Sequence, residues 1–200
     1  MKRPHAWRIA VAAAAVAAAG AGLVVRHAVG GPRDGGVSAG LAAMDRLPAE
    51  RTLPADVARW VESSAVATNT DAAQAKTRVR KLRANLGAAR SDLYAYRAAS
   101  GGTCFDLTAQ VALCPKDAQA GPRGIQWVTG GGFGSVPRNV AALVSDEVVG
   151  IDLVVGAGTQ RVPIRNNTIF AELPSSPGSE ELRLTFRDGT AETIALPDEH

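Results

Sequence analysis

Cys104 and Cys114 are the residues whose chemistry is easiest to assign from the sequence. Nine residues separate them, and both stand in strand-like surroundings, Thr-Cys-Phe and Leu-Cys-Pro. A redox pair is normally closer, as in C-x-x-C, and a zinc site would need further ligands such as histidine nearby. We therefore predict one disulfide across a hairpin or between adjacent strands, in an oxidising compartment.

Histidine chemistry is excluded from most of the chain, because the only histidines are His5, His27 and His200. The long segment between the last two cannot form a Ser-His-Asp triad, a Cys-His pair or a histidine zinc site in their usual forms. The glycine-rich run 130–135 does not complete a G-x-G-x-x-G motif, because its last residue is serine. We predict no catalytic residue, no cofactor and no metal.

Carboxylate chemistry is the kind of catalysis that the residue types leave open. Several acidic residues of the strand-rich region could converge in a fold. They are Asp106, Asp117, Asp146, Glu147 and Asp152. The sequence does not show that they meet, so a secreted carboxylate-dependent enzyme acting on envelope glycans stays as the alternative hypothesis.

The segment Arg165, Asn166 and Asn167 is a candidate ligand loop. It lies between two strand-like runs, and asparagine tolerates the left-handed backbone that a tight turn requires. Its guanidinium and amide groups could hold a ligand, or the segment could serve only as a turn.

The N-terminus has the pattern of a membrane signal. Residues 9–25 contain nine Ala, four Val, two Gly, one Ile and one Leu, and no charge. As a helix this run would span about 25 Å, slightly less than a hydrocarbon core of ~30 Å. Basic residues precede it, which places the N-terminus in the cytoplasm and the rest outside. We predict that 1–27 is a signal-anchor segment that crosses the plasma membrane once.

Cleavage of this segment is the alternative. Ala19-Gly20-Ala21 has the small-x-small form of a cleavage site, after which the chain would be secreted. The apolar run continues through Leu23-Val24-Val25 beyond that site, which favours a retained anchor.

The remainder divides into three parts by composition. Residues 28–48 are rich in glycine and small residues, and we predict a flexible tether. In 49–73, Val57, Trp60 and Val61 have the spacing of one helix face, which predicts a helical linker. Residues 74–197 then form an extracytoplasmic β-rich domain.

Alternating apolar residues predict about seven short strands in this last part. In 148–155, alternation puts Val149, Ile151, Leu153 and Val155 on one face. Asp188-Gly189 is a strong two-residue turn signal between the last two strands. We predict a mainly β fold, a small antiparallel sandwich or open barrel, preceded by the membrane helix, the tether and a short helix.

Charge is uneven along the chain. The formal net charge is +3, but residues 1–27 hold +4 and the remainder −1, so we predict no nucleic-acid partner. Residues 76–97 hold seven bases and one acid, Asp92. This basic stretch is either a solvated face or a patch for anionic lipid headgroups or cell-wall polymers.

Several short motifs resemble a broad group of uncharacterised secreted or membrane-anchored proteins of high-GC, actinobacterial genomes. The motifs are the Ala-rich anchor, Leu93-Tyr94-Ala95-Tyr96-Arg97, Gly102-Thr103-Cys104 with a second Cys, 148–155, Arg161-Val162-Pro163-Ile164, Asn166-Asn167 and Phe186-Arg187-Asp188-Gly189-Thr190. The resemblance covers residues 75–196. It implies export and a β-rich fold, and it implies no activity.

Together these observations predict an extracytoplasmic module that the membrane tethers through residues 9–25. We expect it to be non-catalytic and to bind an envelope protein or polymer.

Overall fold

A computed structural model of the chain describes residues 41–99, 101–108, 110–114, 124–132, 137–174 and 179–197. The predicted signal-anchor and most of the predicted tether lie outside these residues. No helix of the described ranges is both long and apolar enough to cross a membrane.

The described residues form three helices and eleven strands. The helices are α1 Ala42–Arg46, α2 Ala55–Ala67 and α3 Ala72–Thr77. The strands are β1 Arg80–Leu86, β2 Ser91–Arg97, β3 Thr103–Leu107, β4 Val111–Leu113, β5 Ile125–Gly130, β6 Asn139–Val144, β7 Val148–Val155, β8 Gly158–Arg161, β9 Thr168–Glu172, β10 Glu180–Phe186 and β11 Ala191–Ala195.

The strands form three antiparallel sheets. The N-terminal sheet has the order β1-β2-β3-β4, the central sheet β5-β6-β9 and the C-terminal sheet β11-β10-β7-β8. The prediction of a mainly β, antiparallel chain is therefore confirmed. The sheets are stacked as three layers, and their strand orders do not close into a barrel.

The central sheet is buried on both faces. All six residues of β6 are buried. Val140 and Val144 pack in a cluster with the C-terminal sheet, whereas Ala141 and Leu143 pack in a cluster with the N-terminal sheet and α1. A strand covered on both sides needs a near-continuous apolar run, which is what β6 has.

Helices α2 and α3 cover the outer face of the N-terminal sheet. Tyr94 and Tyr96 of β2 point toward these helices, and the ring centroids of Trp60 and Tyr96 are 5.5 Å apart. The alternate residues Leu93 and Ala95 point toward the central sheet. Strand periodicity thus gives β2 two apolar faces, one for each neighbouring layer.

The predicted tether, residues 28–48, overlaps a folded segment, so its C-terminal boundary is wrong. Residues Ala42–Arg46 form α1, and Leu41, Ala43 and Met44 are buried between the N-terminal and central sheets. Burial of these apolar side chains offsets the entropy of ordering the segment. The helix predicted within 49–73 is present as α2, and its shared face of Val57, Trp60 and Val61 packs in a core cluster of the domain. The folded part therefore includes α1 and α2.

Val149 is the exception to the predicted alternation in β7, whose bounds are otherwise confirmed. Its side chain is 50% exposed, while Ile151 and Leu153 are buried. The pairing of β7 with β10 shifts between Thr185 and Phe186, which leaves Val149 as an extra residue. Such a bulge turns the inserted side chain away from the face that alternation assigns to it.

Candidate functional site

The segment predicted as a ligand loop is a tight hairpin tip. Arg165 and Thr168 exchange two main-chain hydrogen bonds of 3.0 Å, and Asn166 and Asn167 lie between them. Their φ angles are +50° and +57°, the left-handed conformation that a two-residue turn of type I′ requires. The predicted turn is therefore present, and asparagine occupies both positions because it tolerates this conformation.

Asn167 joins three parts of the fold. Its side-chain oxygen accepts a hydrogen bond of 2.8 Å from the main-chain nitrogen of Ala43. Its side-chain nitrogen donates to the carbonyl oxygen of Val144 at 3.0 Å and to a carboxylate oxygen of Asp146 at 2.9 Å. Asp146 in turn accepts from the main-chain nitrogen of Ala42 at 3.1 Å. The buried amide of Asn167 thus attaches the start of α1 to the central sheet.

Asn166 joins the hairpin tip to the N-terminal sheet. Its side-chain nitrogen donates a hydrogen bond of 2.9 Å to the carbonyl oxygen of Leu82. Leu82 lies on β1, an edge strand, and the register of β1 with β2 shifts between Lys81 and Arg83. A bulge at a sheet edge turns main-chain groups away from the ladder. Here the bulge leaves the carbonyl oxygen of Leu82 to accept the hydrogen bond from Asn166.

This contact brings together two arginines that are 82 positions apart in the chain. Arg83 follows Leu82, and Arg165 precedes Asn166, so this bond joins the chain neighbours of the two arginines. Desolvation, and then the positive charge of Arg165, lower the pKa of the Arg83 guanidinium. Neither arginine forms an ion pair with an acid among the described residues. The two charges form a cationic site, which we call the arginine pair.

Three other bases of the predicted basic stretch have acidic partners. Lys76 pairs with Glu62 at 2.5 Å and Arg97 with Asp45 at 3.2 Å. Lys81 pairs with Asp92 at 2.9 Å, and its nitrogen lies 5.1 Å from the ring centroid of Tyr94. Its side-chain bond to Tyr94, and next the one to Asp92, raise the pKa of Lys81. These cations are neutralised within the protein, so the stretch is not a uniform basic patch.

The arginine pair could not be found from the sequence alone. Sequence reasoning selected Arg165 because of its turn and treated Arg83 as one base among seven. The signal that distinguishes Arg83 is its apolar surroundings, Leu82 and Leu86. Because Leu82 and Leu86 are buried, the side chain of Arg83 on the same edge strand is partly buried at the border of the core.

The predicted disulfide is confirmed. Cys104 and Cys114 are bonded, with their Cα atoms 4.2 Å apart. Phe105 of β3 lies opposite Leu113 of β4, so the cysteines occupy the next cross-strand position. The bond closes the end of this hairpin, as predicted from the strand-like surroundings of both cysteines.

The predicted carboxylates lie in separate layers where they are described. Asp106 is on the N-terminal sheet, Asp146 is in the turn between β6 and β7, and Asp152 on the C-terminal sheet pairs with Arg161 at 3.2 Å. Glu147 follows Asp146 in the same turn, as predicted. Asp117 lies outside the described residues. No group of three or more His, Cys, Asp or Glu that could hold a metal occurs in the described part of the chain.

Asp106 is the acid with the most unusual environment. Only 4% of it is exposed, and it faces the helical layer from β3. Burial, and then the negative charge of Asp56 near the start of α2, raise the pKa of Asp106 to about 7. The sequence predicted neither this burial nor the role of Asp56.

Comparisons with known proteins return no similar protein: no protein-family model matches the chain, and neither does any curated protein or solved structure.

Proposed function

We propose that this chain is a non-catalytic binding module, held outside the plasma membrane by residues 9–25. Its ligand is an anionic component of the cell envelope, and we favour a polymer over a protein. Export is supported by the cationic N-terminus before an apolar run, and by the disulfide, which is stable in an oxidising space.

The observation that carries the binding function is the arginine pair. Arg83 and Arg165 flank the bond between Asn166 and Leu82, and neither pairs with an acid among the described residues, so their positive charge is left for a ligand. The type I′ turn and the amides of Asn166 and Asn167 fix the loop before any ligand arrives. Such preorganisation lowers the entropy cost of binding.

Sedimentation with purified bacterial cell-wall sacculi tests this function. The full chain, in a mild non-ionic detergent, is mixed with sacculi that carry their anionic polymers or have been stripped of them by acid. We expect the chain to sediment with the intact sacculi only, and to be released as salt screens the charges. Equal sedimentation with both preparations, or with neither, would reject the proposed ligand class.

A second candidate is a carboxylate-dependent enzyme that acts on an envelope glycan. Asp106 favours it, because a general acid in a glycosidase needs a raised pKa and a second carboxylate, here Asp56, nearby. The same burial argues against it, since Asp106 leaves little surface for a sugar to reach.

The two candidates differ in what Asp106→Asn does. Release of reducing ends from purified peptidoglycan by the full chain, abolished by Asp106→Asn and by Asp56→Asn, would establish the enzyme. No release by the unmodified chain, together with unchanged sedimentation of Asp106→Asn, is the result that we expect.

A further inference from the structure

We infer that Arg83 and Arg165 bind one phosphate group, presented by the ligand of the proposed function. The inference depends on that function for its biological ligand. The binding itself can be measured with inorganic phosphate alone.

The first support is the convergence of the two arginines. The hydrogen bond of 2.9 Å between Asn166 Nδ2 and the Leu82 carbonyl oxygen joins the chain neighbours of both. Asn167 holds the other side of the hairpin tip through its bonds to Ala43, Val144 and Asp146. The main chain beside both arginines is therefore held in place by tertiary contacts.

The second support is an unsatisfied donor. The Nη1 atom of Arg83 is buried and has no hydrogen-bond partner among the described residues. Arg80 and Arg97 also have a buried Nε without a partner, but each of them has a terminal nitrogen that donates within the protein. Of these three arginines, Arg83 alone has a guanidinium with no acceptor among the described residues.

The third support is how this fold treats the guanidinium of Arg138, whose side chain is only 10% exposed. Arg138 meets Glu180 in a two-pronged pair, with both nitrogen–oxygen distances 2.9 Å. A buried charge is costly unless it is paired and hydrogen-bonded. The fold supplies an acid to Arg138 and none to Arg83, which is the arrangement expected where a ligand supplies the acceptor.

Charge selects phosphate over a simple carboxylate. The two guanidinium groups carry two positive charges, and desolvation, followed by the charge of Arg165, lowers the pKa of Arg83. A carboxylate would neutralise one of these charges. A phosphate carries up to two negative charges, and its several oxygens can accept hydrogen bonds from two planar guanidinium groups.

The test uses the full chain in nanodiscs of zwitterionic lipid, with inorganic phosphate as the probe. Binding is measured by calorimetry at constant ionic strength, with sulfate and chloride as competing anions. The variants are Arg83→Gln, Arg165→Gln and the double variant. Arg183→Gln is the matched control, because Arg183 is an exposed arginine on a strand of the C-terminal sheet.

We expect each single variant to weaken phosphate binding at least tenfold, and the control to leave it unchanged. Arg83→Lys keeps the charge without the fork, and its affinity should lie between those of the wild type and Arg83→Gln. Unchanged binding in Arg83→Gln and Arg165→Gln, or an equal loss in Arg183→Gln, would overturn the site. Equal affinity for chloride and phosphate would show only a general attraction of anions to positive charge, and would overturn the phosphate site.

Two further arms identify the source of the phosphate. A soluble glycerol-phosphate oligomer tests a phosphodiester polymer, and nanodiscs containing phosphatidylglycerol test a lipid headgroup. Sedimentation with sacculi that survives in the double variant would defeat this site and leave the proposed function standing. Phosphate binding by a chain that does not sediment with sacculi would support this site and reject the proposed function.

Discussion

The side-chain nitrogen of Asn166 lies 2.9 Å from the carbonyl oxygen of Leu82, and this bond joins the turn between β8 and β9 to the edge strand β1. Residues 84 positions apart in the chain are brought into contact in this way. The bond joins the chain neighbours of Arg83 and Arg165.

Asn166→Gly tests the bond itself. Glycine keeps the left-handed conformation of φ +50° and removes only the amide, so we expect a loss of about 1 kcal/mol in the free energy of unfolding. Urea denaturation measures it. Asn69→Gly is the matched control, because Asn69 is exposed and also has φ +50°. If both variants lose the same amount, the amide of Asn166 contributes nothing.

Asn167→Gly should cost more than Asn166→Gly. The substitution removes bonds to Ala43, Val144 and Asp146, and leaves the nitrogen of Ala43 and the oxygen of Val144 without these partners. We expect a loss of roughly 2–4 kcal/mol, since buried unpaired groups are expensive. Hydrogen exchange provides a local measurement, because the amide of Ala43 should lose its protection first. Full protection of that amide in the variant would contradict the attachment of α1 through Asn167.

The disulfide should stabilise the folded state by roughly 3 kcal/mol, as expected from the loop that it closes. The double variant Cys104→Ala, Cys114→Ala, compared with the oxidised wild type in urea, measures this difference. Adding a reductant should lower the stability of the wild type and leave that of the variant unchanged. A variant as stable as the oxidised protein would show that the bond has no structural role.

Asp106 should make the protein less stable as pH rises. Its pKa is raised from 3.8 to about 7 by burial and by Asp56, so the folded state binds a proton that the unfolded state releases. The stabilisation is complete below about pH 4 and is lost as pH rises toward 7. At about 1.4 kcal/mol per pKa unit, the total change is a few kcal/mol.

Asp106→Asn isolates this effect from the other titrating groups. The variant cannot ionise at this position, so it should be more stable than the wild type at pH 8, and the difference should shrink toward pH 4. Asp152→Asn is the control, because Asp152 lies on the surface beside Arg161. Parallel stability curves of wild type and Asp106→Asn from pH 4 to 8 would contradict the proposed environment of Asp106.

Local patterns predicted most strands but not their stacking. Alternation identified β7, and turn residues identified the hairpin around Asp188-Gly189, where Gly189 has φ +84°. These signals arise from a residue's own conformation and from its nearest neighbours. They do not specify which sheet covers which face, so the central position of β6 was not predicted.

The site was predicted only in part for the same reason. Arg165 was selected because its own turn is visible in the sequence, whereas its partner Arg83 depends on a contact between distant residues. The burial of Leu41 and Met44 was missed because glycines dominate the composition of 28–48, although both side chains are buried. Burial of a short segment depends on the groove available to it, which the sequence does not reveal.

The location of the folded part is the premise of the proposed function, and one measurement tests it most directly. Intact spheroplasts that express the full chain are treated with a protease, and free thiols are then labelled without reductant. We predict that the protein is in the membrane fraction, that residues beyond the apolar run are cleaved from outside, and that Cys104 and Cys114 resist labelling. A protected chain in the cytosol with both thiols labelled would contradict the account.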